Sequence, residues 1–218
     1  MHFLLNPASY DLTDASSVPN LLLQHLVIVG TSMLIAIPVA VPVGVAIARY
    51  RRFYLPVITA AGLLYTIPGL ALLALLVPVT GLNATTAIIP LVIYAQLVLI
   101  RNTAAAIDAV DPLLVETGYA MGMTRAQVLR RVVAPLALPL VVAGLRVATV
   151  TTIGIASLAS LVGAGGLGDL IFSSLQNTNY DEVLGGAITI AALAVTVDLL
   201  LLAVQRVLNR GRLPVALS

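Results

Sequence analysis

Hydrophobic residues run along this chain in long blocks, and charge appears only between them. Ala15 to Ala48 contains no Asp, Glu, Lys or Arg. A membrane span needs ~20 apolar residues, so a first helix is predicted over 21–48, with Pro38 and Pro42 placed to bend it. Arg49, Arg51 and Arg52 follow, and then Phe53 to Ile100 is again uncharged. That run is too long for one span and fits two, about 56–77 and 85–106, with Pro78, Gly81 and Asn83 marking the turn. Residues 107–138 break the pattern with Asp108, Asp111, Glu116, Arg125, Arg130 and Arg131. Two short helices are predicted in this loop. Asp111-Pro112 caps the first, Gly122 ends it, and Thr124 with Gln127 forms a capping box for the second, which Pro135 and Pro139 are expected to stop. A fourth span, about 140–162, runs into Gly163–Gly168. A polar loop with Asp169, Asp181 and Glu182 leads to a fifth, about 185–205. Residues 1–20 read as an external N-terminal segment and 206–218 as a tail.

Composition supports the same picture. Hydrophobic residues make up 60% of the 218 positions and charged residues 9%, against about 25% charged in a soluble domain. The mean hydropathy is +1.08. So few charges cannot cover a water-facing surface, and the fold expected is an all-α integral membrane protein of about five transmembrane helices. The N-terminus has no basic region and carries Asp11 and Asp14, so the first stretch is expected to stay as a helix. With five spans, ten of the eleven arginines fall on or at one side, and Arg146 lies in the half-span nearest it. The other side carries Asp11, Asp14, Asp169, Asp181 and Glu182. The positive-inside rule makes the arginine side cytoplasmic, giving an N-out/C-in topology. The net charge of +2 gives no reason to expect a nucleic-acid partner.

Several chemistries are excluded. There is no cysteine, hence no disulfide framework or thiolate metal site. There is no lysine either, and a phosphate-binding P-loop needs one. No cofactor or metal is expected in this chain, and any ATP and magnesium would be bound by a partner. Gly163–Gly168 fits G-x-G-x-x-G, but a membrane span precedes it where a dinucleotide site needs a strand. Gly163, Gly165, Gly166 and Gly168 read instead as a helix break at the external mouth and as outer-gate candidates. An intramembrane protease would need a nucleophile with a base, or paired aspartates. Only His2 and His25 are present, and Asp198 has no second intramembrane acid.

Arg146 and Asp198 stand out as charges inside predicted spans, where charge is costly. Arg146 is seven residues past Pro139 and Asp198 eight before Arg206, ~10 and ~12 Å deep from the same side. The matched depths predict an ion pair, within the chain or across a subunit interface. Tyr65, Pro68, Tyr94 and Asn102 are candidates for a polar translocation path.

The segment Glu116-Thr-Gly-Tyr-Ala-Met-Gly122, followed by Val132-Val-Ala-Pro135, resembles the EAA loop of ABC importer permeases. Glu116, Gly122 and Pro135 match that pattern, whereas Thr117 and Gly118 replace its two alanines, Val132 its isoleucine and Ala134 its leucine. The resemblance implies a type I importer permease fold in which this loop is a coupling helix seated in an ATPase subunit. Glu116, Thr117, Gly118, Ala120, Met121, Gly122, Met123 and Pro135 would then transmit the motion. Tyr65-Thr-Ile-Pro68, Arg101-Asn-Thr103 and Gly163–Gly168 with Asp169-Leu-Ile look like the osmoprotectant subfamily, which serves glycine betaine, carnitine or choline. The likeness covers most of 20–205. It implies a second permease subunit, two ATP-binding subunits, an extracytoplasmic substrate-binding protein and a bacterial inner membrane. A methionine-type permease is the alternative, and an ion-coupled secondary transporter is a further one. Quaternary ammonium groups favour aromatic cages, yet this chain has no Trp, three Phe and seven Tyr. The high-affinity site is therefore expected in the external binding protein.

Overall fold

The computed structural model describes Phe3 and residues 6–209, which are helical throughout their regular elements. The Arg210 and Arg212 part of the tail lies outside the described residues. Helix α1 (Val18–Arg49) opens the bundle and runs through both Pro38 and Pro42. Next come α2 (Tyr54–Thr66), α3 (Gly69–Thr80) and α4 (Ala84–Asp108). The loop helix α5 (Pro112–Ala120) precedes α6 (Arg125–Val128). A π-helical turn joins α6 to α7 (Ala134–Ile155), and a 3-10 segment, Ala156–Val162, extends it. The chain closes with α8 (Gly168–Gln176) and α9 (Tyr180–Asn209). Among the described residues four helices are long and apolar enough to cross a membrane, and α2 with α3 makes a fifth crossing if the bent pair counts as one.

Three features depart from the sequence expectation. The span predicted at 56–77 is broken: α2 and α3 meet at 85° across Ile67-Pro68. Pro78, assigned to the turn, lies inside α3, and the turn is made by Gly81 at φ 79° and the N-cap Asn83. Pro135 and Pro139 do not stop the second loop helix, which continues from Arg125 to Val162 as one apolar rod. A proline cannot donate to the carbonyl four residues back. The wide turn at Leu129–Val133, closed by an Ala134 N–H bond to Leu129 O, reshapes the ladder just ahead of Pro135. The polar loop after Gly168 also contains a helix, α8.

Helix α4 is the hub. Ala36, Ala40 and Gly44 recur at four-residue spacing on the buried face of α1 that lies on it. A Cβ at Gly44 would come within 2.6 Å of Thr103 Cβ and 2.9 Å of Ile100 O, so the two backbones touch there. On another face of α4, Gly144 of α7 leaves room for Asn102, whose carbons occupy the place a Cβ would take. Lipid tails are as apolar as leucine, so helices in a membrane associate through such close contact. Ile28, Met33, Leu91, Leu99 and Ile153 fill the core between these crossings. Two buried hydroxyls bond within their own helices: Ser32 donates to Ile28 O and Thr152 to Ala148 O, both at 2.8 Å.

Gly144→Val should push α7 off α4. Overpacking of this kind costs about 1–3 kcal/mol, read as a lower midpoint of thermal unfolding in detergent. Gly30→Ala, where a Cβ meets nothing, should leave the midpoint in place.

Candidate functional site

The loop between α4 and α7 is built as a rigid lever. The Asp111 side chain accepts the Leu113 N–H at 2.8 Å, and Pro112 occupies the first helical position of α5. At the other end Gly122 takes φ 82°, its N–H bonds to Tyr119 O at 2.9 Å, and the Met123 N–H reaches Gly118 O at 3.1 Å. This is the Schellman arrangement, which requires a residue at ease in the left-handed region. Thr124 and Gln127 cap each other reciprocally, with Thr124 N–H donating to Gln127 Oε1 at 2.7 Å. Gly118 is the one buried residue of α5, lying against Val128 and Met123. A small satellite core of Ala106, Val110, Val128, Val133 and Ala137 ties the loop to the ends of α4 and α7.

The outward side of this lever is apolar. Leu113 is 65% exposed and Met121 72%, with Leu114 and Tyr119 also open, while Glu116, Thr117 and Ala120 are exposed beside them. Apolar side chains exposed at this density on a loop rich in charge are a candidate surface for another protein. Pro135 lies at the root of the lever, half-buried just after the π-helical turn.

Behind the lever, α2 and α7 flank α4 and leave a cleft. Tyr65 and Tyr94 meet edge to face, their centroids 5.7 Å apart, and the Tyr94 hydroxyl donates to Ile67 O at 2.8 Å. That bond satisfies a carbonyl freed where Pro68 breaks the span. A recess of about 280 Å3 opens here, lined by Tyr65–Gly69, Tyr94, Ile155 and Leu158. Tyr65, Pro68 and Tyr94 thus share one site. Asn102 does not join them: it packs on Gly144 and donates to Val98 O at 2.7 Å.

At the opposite end the glycine segment is pinned to α1. Gly163, Gly165 and Gly166 take φ of 70°, 74° and 91°. The Gly166 N–H donates to Gln24 Oε1 at 3.0 Å, and the same residue packs on His25. His25 is fully buried, with Nε2 3.0 Å from Ile153 O. Gly168 starts α8 so close to Ser157 O that a side chain has no room. Gln24 and His25 were not legible as anchors, because nothing in an apolar run signals a partner far along the chain.

Arg146 and Asp198 meet within the chain. Arg146 Nε and Nη2 donate to the two carboxylate oxygens at 2.9 and 2.8 Å, and Nη1 donates to Gln205 Oε1 at 2.9 Å. The two-point geometry joins α7 to α9. The pair is partly open, 21% and 34% exposed, beside a groove of about 550 Å3 lined by Val147, Val150, Val195 and Leu199. One charge escaped the sequence reading. Arg101, counted with the arginine side, sits seven residues inside the end of α4.

A bundle of crossing helices, a capped loop with an apolar outer face and a cleft beside it are the features of a membrane-spanning transport subunit. The chain belongs to the family of binding-protein-dependent transport system inner membrane components, which matches residues 20–213. It is therefore a multi-pass transport permease subunit that works with binding-protein and ATPase partners. It is 42% identical over 201 residues to the carnitine transport permease protein of Listeria monocytogenes, covering 92% of this chain and 90% of the relative. It is 44% identical over 187 residues to the glycine betaine/carnitine/choline permease protein of Bacillus subtilis, covering 85% and 82%. The osmoprotectant import permease protein of Salmonella typhimurium is 37% identical over 214 residues, covering 96% of both chains. Among solved structures the fold is similar to a methionine ABC transporter in an inward-facing conformation. The TM-score is 0.78 at 24% identity, covering 86% of this chain and 94% of that one. The resemblance drawn from the Glu116–Pro135 loop is thereby established at the level of family and fold.

If the Arg146–Asp198 contact holds α7 to α9, then Arg146→Ala and Asp198→Ala should each lower the yield of assembled complex. The double variant should be no worse than either single one, because a lone charge left at that depth is the damaging species. Strictly additive losses, measured by size-exclusion chromatography in mild detergent, count against the coupling.

Proposed function

We propose that this chain is the permease subunit of an ATP-driven importer of quaternary-ammonium osmoprotectants such as glycine betaine, choline or carnitine. The observation that carries the reading is identity of 37–44% to permeases of this cargo class over 85% or more of the chain. The likeness to the methionine transporter, at 24%, speaks for the fold alone and does not favour methionine as cargo.

In this reading two permease subunits, alike or different, enclose the pathway in the bacterial inner membrane, with the N-terminus outside and the C-terminus in the cytoplasm. Two ATP-binding subunits dock on α5, and an external binding protein delivers the cargo. The permease itself holds no ATP or magnesium. When the ATPases close, the capped lever moves as one piece. Its apolar outer face stays seated, and its root at Pro135 carries the displacement into α7. Glu116, Thr117, Gly118, Ala120, Met121, Gly122 and Met123 form the transmitting surface. The Tyr65–Tyr94 recess beside the Pro68 break offers a shallow aromatic lining, suited to brief contact with a cation. The Gly163–Gly168 turn, held by Gln24 and His25, would act as the outer gate.

The test is a pull-down of the tagged chain from native membranes in mild detergent, beside Gly122→Pro. Proline cannot adopt the φ of 82° that Gly122 holds. An ATPase should co-purify with the wild type and be lost with the variant. If no ATPase accompanies the wild type, an ion-coupled transporter becomes the better reading.

A further inference from the structure

Arg101 has no ion pair and no hydrogen-bond partner among the described residues, although its side chain is exposed. It sits seven residues, ~10 Å, inside the cytoplasmic end of α4. The other arginine within a span, Arg146, is fully engaged by Asp198 and Gln205. A guanidinium left alone in hydrocarbon is costly, and such residues face a wet cavity or an anion.

The packing of α4 shows which. Ile100 and Thr103, the residues around Arg101 on one flank, lie against Gly44 of α1. Asn102, on another, lies against Gly144 of α7. Asp108 receives Arg51 Nη2 at 2.8 Å from the turn that leads into α2. Arg101 therefore projects between α7 and the start of α2. Tyr94 lies seven residues earlier, two turns up on the same face of the helix, and forms part of the aromatic recess between α2 and the end of α7. Tyr94 and Arg101 thus share one face of α4, the tyrosine in the recess and the exposed arginine two turns nearer the helix end. Long side chains on a helix lean toward its N-terminus, so the guanidinium is carried toward the tyrosines.

We propose that Arg101 is an anion-binding residue of the translocation pathway, taking the carboxylate of a zwitterionic cargo whose ammonium end passes the Tyr65–Tyr94 recess. The inference rests on the importer reading above and adds a division within its cargo class. Glycine betaine and carnitine carry a carboxylate, and choline does not.

The complete complex, reconstituted in vesicles, tests this in two arms. The chain lacks cysteine, so Arg101→Cys places one thiol in this subunit, whose labelling is read on its own gel band. A charged methanethiosulfonate reagent should modify it about tenfold faster than Leu34→Cys, which lies on an exposed apolar position of α1, because such reagents need water. In the second arm Arg101→Gln should reduce uptake of glycine betaine or carnitine about tenfold, the scale of one charge-assisted contact. Choline uptake should change little, and Arg101→Lys should restore part of the loss. A thiol at 101 no more reactive than at 34, or equal losses for choline and the carboxylate cargoes, overturns the proposal while leaving the importer reading standing. Wild-type uptake confined to choline does the same. A wild-type complex that imports none of the three overturns the importer reading and the carboxylate assignment with it.

Discussion

Close approach of helix backbones around α4 is the constraint on which the rest of the molecule depends. In water a helix bundle gains from removing apolar surface from solvent. In lipid that gain is absent, and contact itself must hold the helices. Gly44 on α1 and Gly144 on α7 place two neighbours against α4, one on Thr103 and one on Asn102. The stripe through Tyr94 and Arg101 faces neither glycine, and Tyr94 on it lines the recess. The site and the packing are thus two consequences of which α4 positions face a glycine.

The broken second crossing follows from the same economy of contacts. Several prolines sit inside helices without ending them, including Pro38, Pro42, Pro78, Pro90 and Pro139. Only at Pro68 does the chain turn by 85°. A break exposes carbonyls, and in a membrane these must find donors within the protein. Tyr94 supplies one to Ile67. The result is a corner lined by aromatic rings in the wall of the cleft, and the residue that permits the corner also lines it.

The loop between α4 and α7 obeys different physics, because its sequence is charged and broken by caps where the spans are apolar. Its form comes from local hydrogen bonds: the Asp111 cap, the Schellman turn at Gly122 and the Thr124–Gln127 box. Each closes within a few residues, so the lever is stiff along its length. It joins the bundle through the satellite core around Val128, and the π-helical turn at Leu129–Val133 carries its axis into α7 despite Pro135.

What the sequence determined by itself is what local chemistry or lipid imposes. The spans were legible because hydrocarbon tolerates few charges, and the caps because their partners lie within about five residues. The Glu116, Gly122 and Pro135 spacing marked the loop through its resemblance to a family pattern. Matched depth from one membrane face sufficed to single out Arg146 and Asp198. What only the tertiary structure decided concerns partners distant along the chain. Pro68 breaks its span while Pro42 does not, and the freed Ile67 carbonyl is met by Tyr94 from across the bundle. Gln24 and His25 anchor the glycine turn from well over a hundred residues away. Asn102 packs into α7 while its neighbour Arg101 stays exposed. One residue step on a helix is 100° of rotation, and only the arrangement of neighbouring helices says which direction is occupied.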